Sequence, residues 1–324
     1  MELLERLAAA DIRALAKAVS CVENQDAGYR ELLGQVYHQA GRSQRIGITG
    51  PPGAGKSTLV NTLTHEFLSR HRKVGIIAVD PTSPFTGGAL LGDRIRMSQF
   101  PTDGSVYFRS MATRGATGGL AAATNYAAVI YDAFGFDVTM IETIGVGQME
   151  LDVVDACDTV VVVVTPESGD AVQTMKAGLM EIAHVFCVNK ADRPGSERVA
   201  FELRQAMDVR IKLPEAWSVP VVATQAVNGK NVDQLYQHIA AHLAFIQAGE
   251  RVEDRRREQI RKMILSVLRQ RFQQEFVDVL PRNAAFNDLV TEVYAGRCDP
   301  FRASDLLFEA YTRGIQPGET KPKG

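Results

Sequence analysis

Residues 50–58 read Gly-Pro-Pro-Gly-Ala-Gly-Lys-Ser-Thr and fit G-x-x-x-x-G-K-[ST]. A β-rich run, Arg45–Thr49, precedes this stretch, and a helix is predicted from Lys56. No other pattern restricts the fold as much. Glycines let such a loop wrap with several backbone N–H groups turned toward phosphate oxygens, and the helix dipole adds to the attraction. Gly50, Pro51, Pro52, Gly53, Ala54, Gly55, Lys56, Ser57 and Thr58 are therefore the expected phosphate cradle. Lys56 is placed to reach the β- and γ-phosphates, and the Ser57 hydroxyl to bind Mg²⁺.

The rest of the chain supplies the sheet that such a loop requires. Short apolar runs alternate with helical patterns: Lys73–Val79, Val106–Arg109, Val138–Glu142, Thr159–Thr165, His184–Asn189 and Val219–Ala223. Apolar strands separated by helices indicate a parallel sheet covered on both faces. The expected fold is α/β, a mostly parallel P-loop NTPase sheet with helices on both faces and helical extensions at both ends. Residues 1–42 read as an N-terminal helical extension, with Asp11 as N-cap of a helix carrying Ile12, Leu15, Ala16 and Val19 on one face. Residues 43–249 hold the sheet. Residues 250–324 form a C-terminal helical arm, in which Ile260, Met263, Ile264, Val267, Leu268, Phe272 and Phe276 make one apolar stripe ended by Pro281. So wide a stripe must be buried, and a two-fold dimer interface is the favoured burial. Further helices are expected near Asn283 and Ala303, the latter with Asp299 or Ser304 as cap.

Composition narrows the function classes. The 324 residues carry 36 Lys plus Arg against 38 Asp plus Glu, a formal net charge of -2, which argues against a dedicated nucleic-acid binder. The longest apolar runs fall far short of the ~20 residues a membrane span needs. The N-terminus lacks the basic and apolar regions of a secretory signal. The four cysteines form no C-x-x-C pair, and Cys157 and Cys187 lie in or beside apolar runs as expected buried thiols. A reducing, cytoplasmic setting fits.

A second motif identifies the base. Asn189-Lys190-Ala191-Asp192 follows the apolar run His184–Val188 and matches N-K-x-D. The Asp192 carboxylate can accept from N1–H and the exocyclic amine of guanine. Adenine lacks that donor pair and would leave the carboxylate unpaired, which is the source of selectivity. The Lys190 stem would cover the base face, and Asn189 would tie loops together. Thr224-Gln225-Ala226, after the next strand, is the expected further base loop. Many GTPases have Ser-Ala there; Gln225 departs from that, while the Ala226 N–H remains able to meet the guanine oxygen.

The candidate acids follow from position. Asp80 ends the strand beside the loop strand, where a Mg²⁺-linked carboxylate belongs. Asp93 lies in a Gly-rich stretch. Glu142-Thr143-Ile144-Gly145 resembles the D-x-x-G switch, with Gly145 placed to meet the γ-phosphate through its N–H. Val146 follows that glycine, and valine cannot orient water. Slow intrinsic hydrolysis and activation by another residue or a partner are therefore expected. The stretch from Thr165 through Asp170 and Gln173 to Lys176 is a further switch candidate.

Taken together, GPPGAGKST, VDPTSPFTGGALLGDRIRM, FRSMATRGATGGL, IETIGVGQMELD, SGDAVQTMKAGLMEIA and NKAD resemble the MeaB/ArgK group of P-loop GTPases. The resemblance spans roughly residues 10–310. It implies a homodimeric G-protein chaperone of an adenosylcobalamin-dependent acyl-CoA mutase, using GTP/GDP and Mg²⁺ to gate cofactor loading and to protect or reactivate the mutase. It further implies Lys56, Asp80, Asp93, Glu142, Gly145 and Lys176 as catalytic-site residues. Ser57, Asp80, Asp93 and Glu142 become the Mg²⁺ set, and the arm after residue 250 the dimerisation element. The alternatives are a GTP-dependent metallochaperone for another metalloenzyme and a small-molecule kinase, the latter opposed by N-K-A-D.

Overall fold

A computed structural model describes residues 3–40, 43–80, 98–112, 119–143, 157–167, 177–209, 217–248 and 251–314. Seven strands form one sheet: β1 (Gln44–Thr49), β2 (Val74–Asp80), β3 (Val106–Ala112), β4 (Val138–Thr143), β5 (Thr159–Val164), β6 (Val185–Val188) and β7 (Val221–Ala223). Their order is β3-β2-β4-β1-β5-β6-β7, and each neighbouring pair is parallel. β4 and β5 are buried along their whole length. Both faces are therefore covered, and these strands read as apolar runs rather than alternations.

Helix α4 (Lys56–Leu68) and a later helix, Val232–Gln247, cover one face. Leu59, Val60, Leu63 and Phe67 share a core with Leu235, Ile239 and Leu243 and with Ile46, Ile76, Met140, Val161 and Cys187 of the strands. Gly119–Phe134 (α5) covers the other face. Its Tyr131 closes on the Gly75 backbone, where a side chain would collide with the ring, and its hydroxyl donates to the Ile76 carbonyl at 3.2 Å. The N-terminal helices α1 (Leu3–Ala8), α2 (Ile12–Asn24) and α3 (Tyr29–Tyr37) come before the sheet. α2 and α3 pack against α5, with Tyr29 and Tyr126 ring centroids 6.0 Å apart. Asp11 caps α2 by accepting from the N–H groups of Arg13 and Ala14.

The strand expectations hold, with shifted ends that have physical causes. β3 runs on to Ala112, past the polar pair Arg109–Ser110. Arg109 is matched by Glu23 of α2 at 2.5 Å and also donates to Ser20, so its charge does not stop the ladder. β7 begins at Val221 because Pro220 has no N–H for a ladder; its carbonyl still accepts from Phe186.

The chain divides into two compact units, Met1–Gln259 and Ile260–Gly324. After α6 (Ala177–Ile182), α7 (Ser196–Val209) and α8 (Val232–Gln247), the helix α9 (Arg251–Phe272) leads from one unit into the other. In the second unit, α9 ends in a single π-turn (Gln273–Val277), and Pro281 lies in a following 3₁₀ turn (Leu280–Arg282). Asn283 caps α10 (Ala284–Tyr294), and Asp299 accepts from Phe301 and Arg302 at the start of α11 (Pro300–Gly314). Phe272 and Phe276 pack with Tyr311, at centroid distances of 5.5 and 4.4 Å.

Candidate functional site

The loop between β1 and α4 is shaped at two positions that only glycine can occupy. Gly50 has φ +144°, and a Cβ there would fall on the Val163 carbonyl of β5. Gly55 has φ +85°, and a Cβ there would fall on the side-chain amide of Asn189. Gly55 is also the N-cap of α4 and offers no side-chain acceptor to the first turn. A helix start left uncapped in this way presents N–H groups to an anion. Lys56, 6% exposed, folds back over the loop and donates to the carbonyls of Gly50 at 2.6 Å and Pro51 at 2.9 Å. Ala54 is buried, with its N–H on the Pro51 carbonyl at 3.2 Å. The loop is thus braced by its own carbonyls.

β4 brings Glu142 under this helix start. Its carboxylate is 1% exposed and accepts from the Ser57 hydroxyl. Beside it, Thr143 donates to Thr49 at 3.0 Å, tying the ends of β4 and β1. Asp80 closes β2, where the neighbouring Val79 pairs with Thr143, so the backbone places it at the same end of the sheet. A hydroxyl and carboxylates are the hard oxygen donors that suit a small divalent cation. Asp93, Gly145 and Lys176 lie outside the described residues.

The base turn is built on the ends of β6 and β7. Asn189 is 3% exposed. Its Nδ2 donates to the Ala54 carbonyl at 2.9 Å, while Oδ1 accepts from Thr224 Oγ1 at 3.2 Å and from the Ala226 N–H at 3.1 Å. Those partners fix which way the amide faces. The Ala191 N–H donates to the Thr224 carbonyl at 2.9 Å, so the two loops run side by side. Gln225 pairs with Lys230 in an isolated antiparallel bridge, and its Oε1 accepts from Asn228 at 3.3 Å. Asp192 is exposed and meets no hydrogen-bond or ion-pair partner among the described residues. A carboxylate so placed can accept from a base edge. Lys190 has φ +57°, and its ammonium lies 3.2 Å from Glu167.

Three members of this assembly have partners that the sequence does not show. Thr62, one turn along α4 from Thr58, donates to the Ala226 carbonyl at 2.9 Å and joins the base loop to the phosphate helix. Cys187 lies 3.1 Å from the Thr224 hydroxyl, and burial pushes its thiol up to about 12. Glu167 joins the turn after β5 to Lys190 and Arg193. Each is an ordinary helix, strand or loop residue until the tertiary structure supplies its partner.

The family described as Methylmalonyl Co-A mutase-associated GTPase MeaB matches residues 15–279. A protein of Pyrococcus horikoshii provisionally named as a GTPase is 45% identical over 314 residues, covering 95% of this chain and 97% of its own. The mitochondrial Methylmalonic aciduria type A homolog of Mus musculus is 29% identical, over 92% of this chain and 76% of that one. The crystal structure of a LAO/AO transport system kinase superposes with a TM-score of 0.69 at 23% identity, covering 96% of each chain, and shares the fold. A match of this length, on a chain whose phosphate loop and base turn are joined through Asn189, makes it a member of the MeaB family of P-loop GTPases, which bind guanine nucleotides.

Proposed function

We propose that this GTPase serves as a G-protein chaperone of an adenosylcobalamin-dependent acyl-CoA mutase, gating cofactor loading and protecting or reactivating that enzyme. The observation that carries the reading is the family match over residues 15–279, whose description names a mutase. The similarity to the methylmalonic aciduria type A homolog supports it. The working setting is the cytoplasm. Among the described residues no helix is long and apolar enough to cross a membrane.

The chemistry is GTP + H₂O → GDP + phosphate. The amides of residues 50–58 hold the phosphates, and Lys56 exchanges carbonyl partners for phosphate oxygens. Asp192 reads guanine, and Lys190 covers its face. The Thr224–Ala226 loop keeps Asn189 oriented. The Ala226 N–H already donates to Asn189, so a guanine oxygen shares that donor rather than meeting it free. Ser57, Asp80 and Glu142, with Asp93, are the residues that would hold Mg²⁺, and the half-buried Ser57–Glu142 pair suits it. When bound, the ion would supply positive charge to offset the charge developing on the phosphates during hydrolysis. Gly145 supplies an N–H to the γ-phosphate, and the segment ending at Lys176 responds to the client. Val146 gives no group to align water, so basal turnover is slow.

Residues 250–324 act as a dimerisation arm. Ile260, Ile264, Leu265 and Leu268 are 44–55% exposed along α9, an apolar row suited to a second copy. The test of the whole reading is single-turnover and steady-state GTP hydrolysis with and without purified methylmalonyl-CoA and isobutyryl-CoA mutases. Stimulation and co-elution with one of them is the expected result. Basal rates and no complex with either would overturn it.

A further inference from the structure

The turn leaving β5 and the base-reading turn are packed together at several points. The Asn189 N–H donates to the Val164 carbonyl at 2.8 Å. Pro166 lies against Gly195, so the backbone at 165–167 runs beside residues 189–195. Glu167 stands at the end of this contact. Its carboxylate takes the Lys190 ammonium at 3.2 Å through one oxygen and the Arg193 guanidinium through the other. Nothing in the phosphate chemistry needs that acid. A lysine carries about 2 kcal/mol of rotamer entropy, and a fixed counter-charge lowers the cost of holding its stem in one direction.

We propose that Glu167 is a positioning residue of the guanine site: its ion pair holds Lys190 extended to cover the base and fastens the base turn to the end of β5. The proposal rests on the reading of Lys190 as the residue that covers the base. It makes a specific demand. An effect exerted on the base is the same for GTP and GDP, because both carry guanine. The three side chains are 29–46% exposed, so solvent screens the pair. An exposed pair of this kind corresponds to a factor of about two to five in affinity.

The experiment uses the full chain and displacement of a fluorescent GDP analogue. Glu167→Gln is expected to raise Kd for GTP and GDP by one common factor of about two to five. That factor should shrink toward one in about 0.5 M KCl, where exposed charges are screened. Displacement by inorganic triphosphate, which has no base, should be alike in both proteins. Arg193→Gln, which keeps the Glu167–Lys190 pair, should shift Kd less than Glu167→Gln. Unchanged Kd values would overturn the proposal. So would a change confined to GTP, or a loss of equal size against inorganic triphosphate. Asp192→Asn, titrated alongside with GTP, separates the two ideas. Retained affinity there refutes guanine reading by this turn, whatever Glu167 does.

Discussion

The side-chain amide of Asn189 donates to the Ala54 carbonyl at 2.9 Å, so the base turn grips the phosphate loop directly. Its other end is held by Thr224 and by the Ala226 N–H. One small side chain therefore fixes three loops that arrive from three different strands.

Removing that side chain should loosen all three. Asn189→Ala leaves the Ala54 carbonyl, the Thr224 hydroxyl and the Ala226 N–H without their shared partner. Each buried group left unsatisfied costs about 1–3 kcal/mol. GTP and GDP titrations should both show affinity lower by roughly ten- to a hundredfold, with a lower melting temperature for the nucleotide-free protein.

Glycines of the loop should differ in a predictable order. Gly55→Ala places a methyl on the Asn189 amide, at φ +85°. Gly53 has φ +74° and nothing within 4 Å of the added carbon. Gly53→Ala should cost only the backbone strain of about 1–2 kcal/mol. Isothermal titration with GDP should find binding weakened in Gly53→Ala and abolished in Gly55→Ala. Equal affinities would contradict the contact.

Asp192→Asn should redirect base choice. A carboxamide accepts from N1–H as the carboxylate does, yet its NH₂ now faces the amine of guanine. Xanthine carries a carbonyl at that position and can accept from it. Competition assays should show GTP affinity reduced by roughly ten- to a hundredfold, the scale of one lost hydrogen bond to a charged group. Xanthosine triphosphate should become the better ligand.

Metal removal should separate binding from turnover. With Ser57 and Glu142 as oxygen donors, EDTA is expected to stop phosphate release while GDP still binds, more weakly. Glu142→Gln keeps an acceptor for Ser57 but loses the charge. Malachite-green assays should show hydrolysis lowered by roughly a hundredfold or more at saturating Mg²⁺, the scale of a lost electrostatic contact. A rate within twofold of the parent would remove Glu142 from the reaction.

Cys187 predicts an alkaline limit. Burial raises its thiol from 9.0 in the unfolded chain to about 12 in the fold. Below pH 9.0 both states hold the proton and the site has no effect on the balance. Between pH 9.0 and about 12 only the unfolded thiol ionises, so stability falls as pH rises. Urea midpoints at pH 8 and pH 10.5 should converge in Cys187→Val more than in the parent. Iodoacetamide should leave Cys187 unmodified until the chain unfolds.

What the amino-acid order displays is what acts locally. The loop at 50–58 and the Asn189–Asp192 turn are contiguous, and their glycines and carboxylate announce themselves. The strands are legible as apolar runs because a parallel sheet buries both faces. Their order is not, since β1 lies between β4 and β5 with no local sign of either neighbour. The partners of Thr62, Glu167 and Cys187 are illegible for the same reason: a threonine in a helix, a surface glutamate and a strand cysteine acquire these contacts only from residues 23 to 164 positions away. The extension of β3 past Arg109 needed knowledge of Glu23.

The interleaved strand order has a kinetic and thermodynamic corollary. The loop after β1, the acid on β4 and the turns after β6 and β7 meet only once long-range parallel pairings are complete, and such pairings form slowly. A half-folded chain has no nucleotide site. GDP or GTP therefore binds the finished sheet alone and draws the folding equilibrium toward it, by about 2.7 kcal/mol at a free concentration a hundredfold above Kd. The cellular guanine nucleotide pool acts on this protein as a folding stabiliser before it acts as a signal.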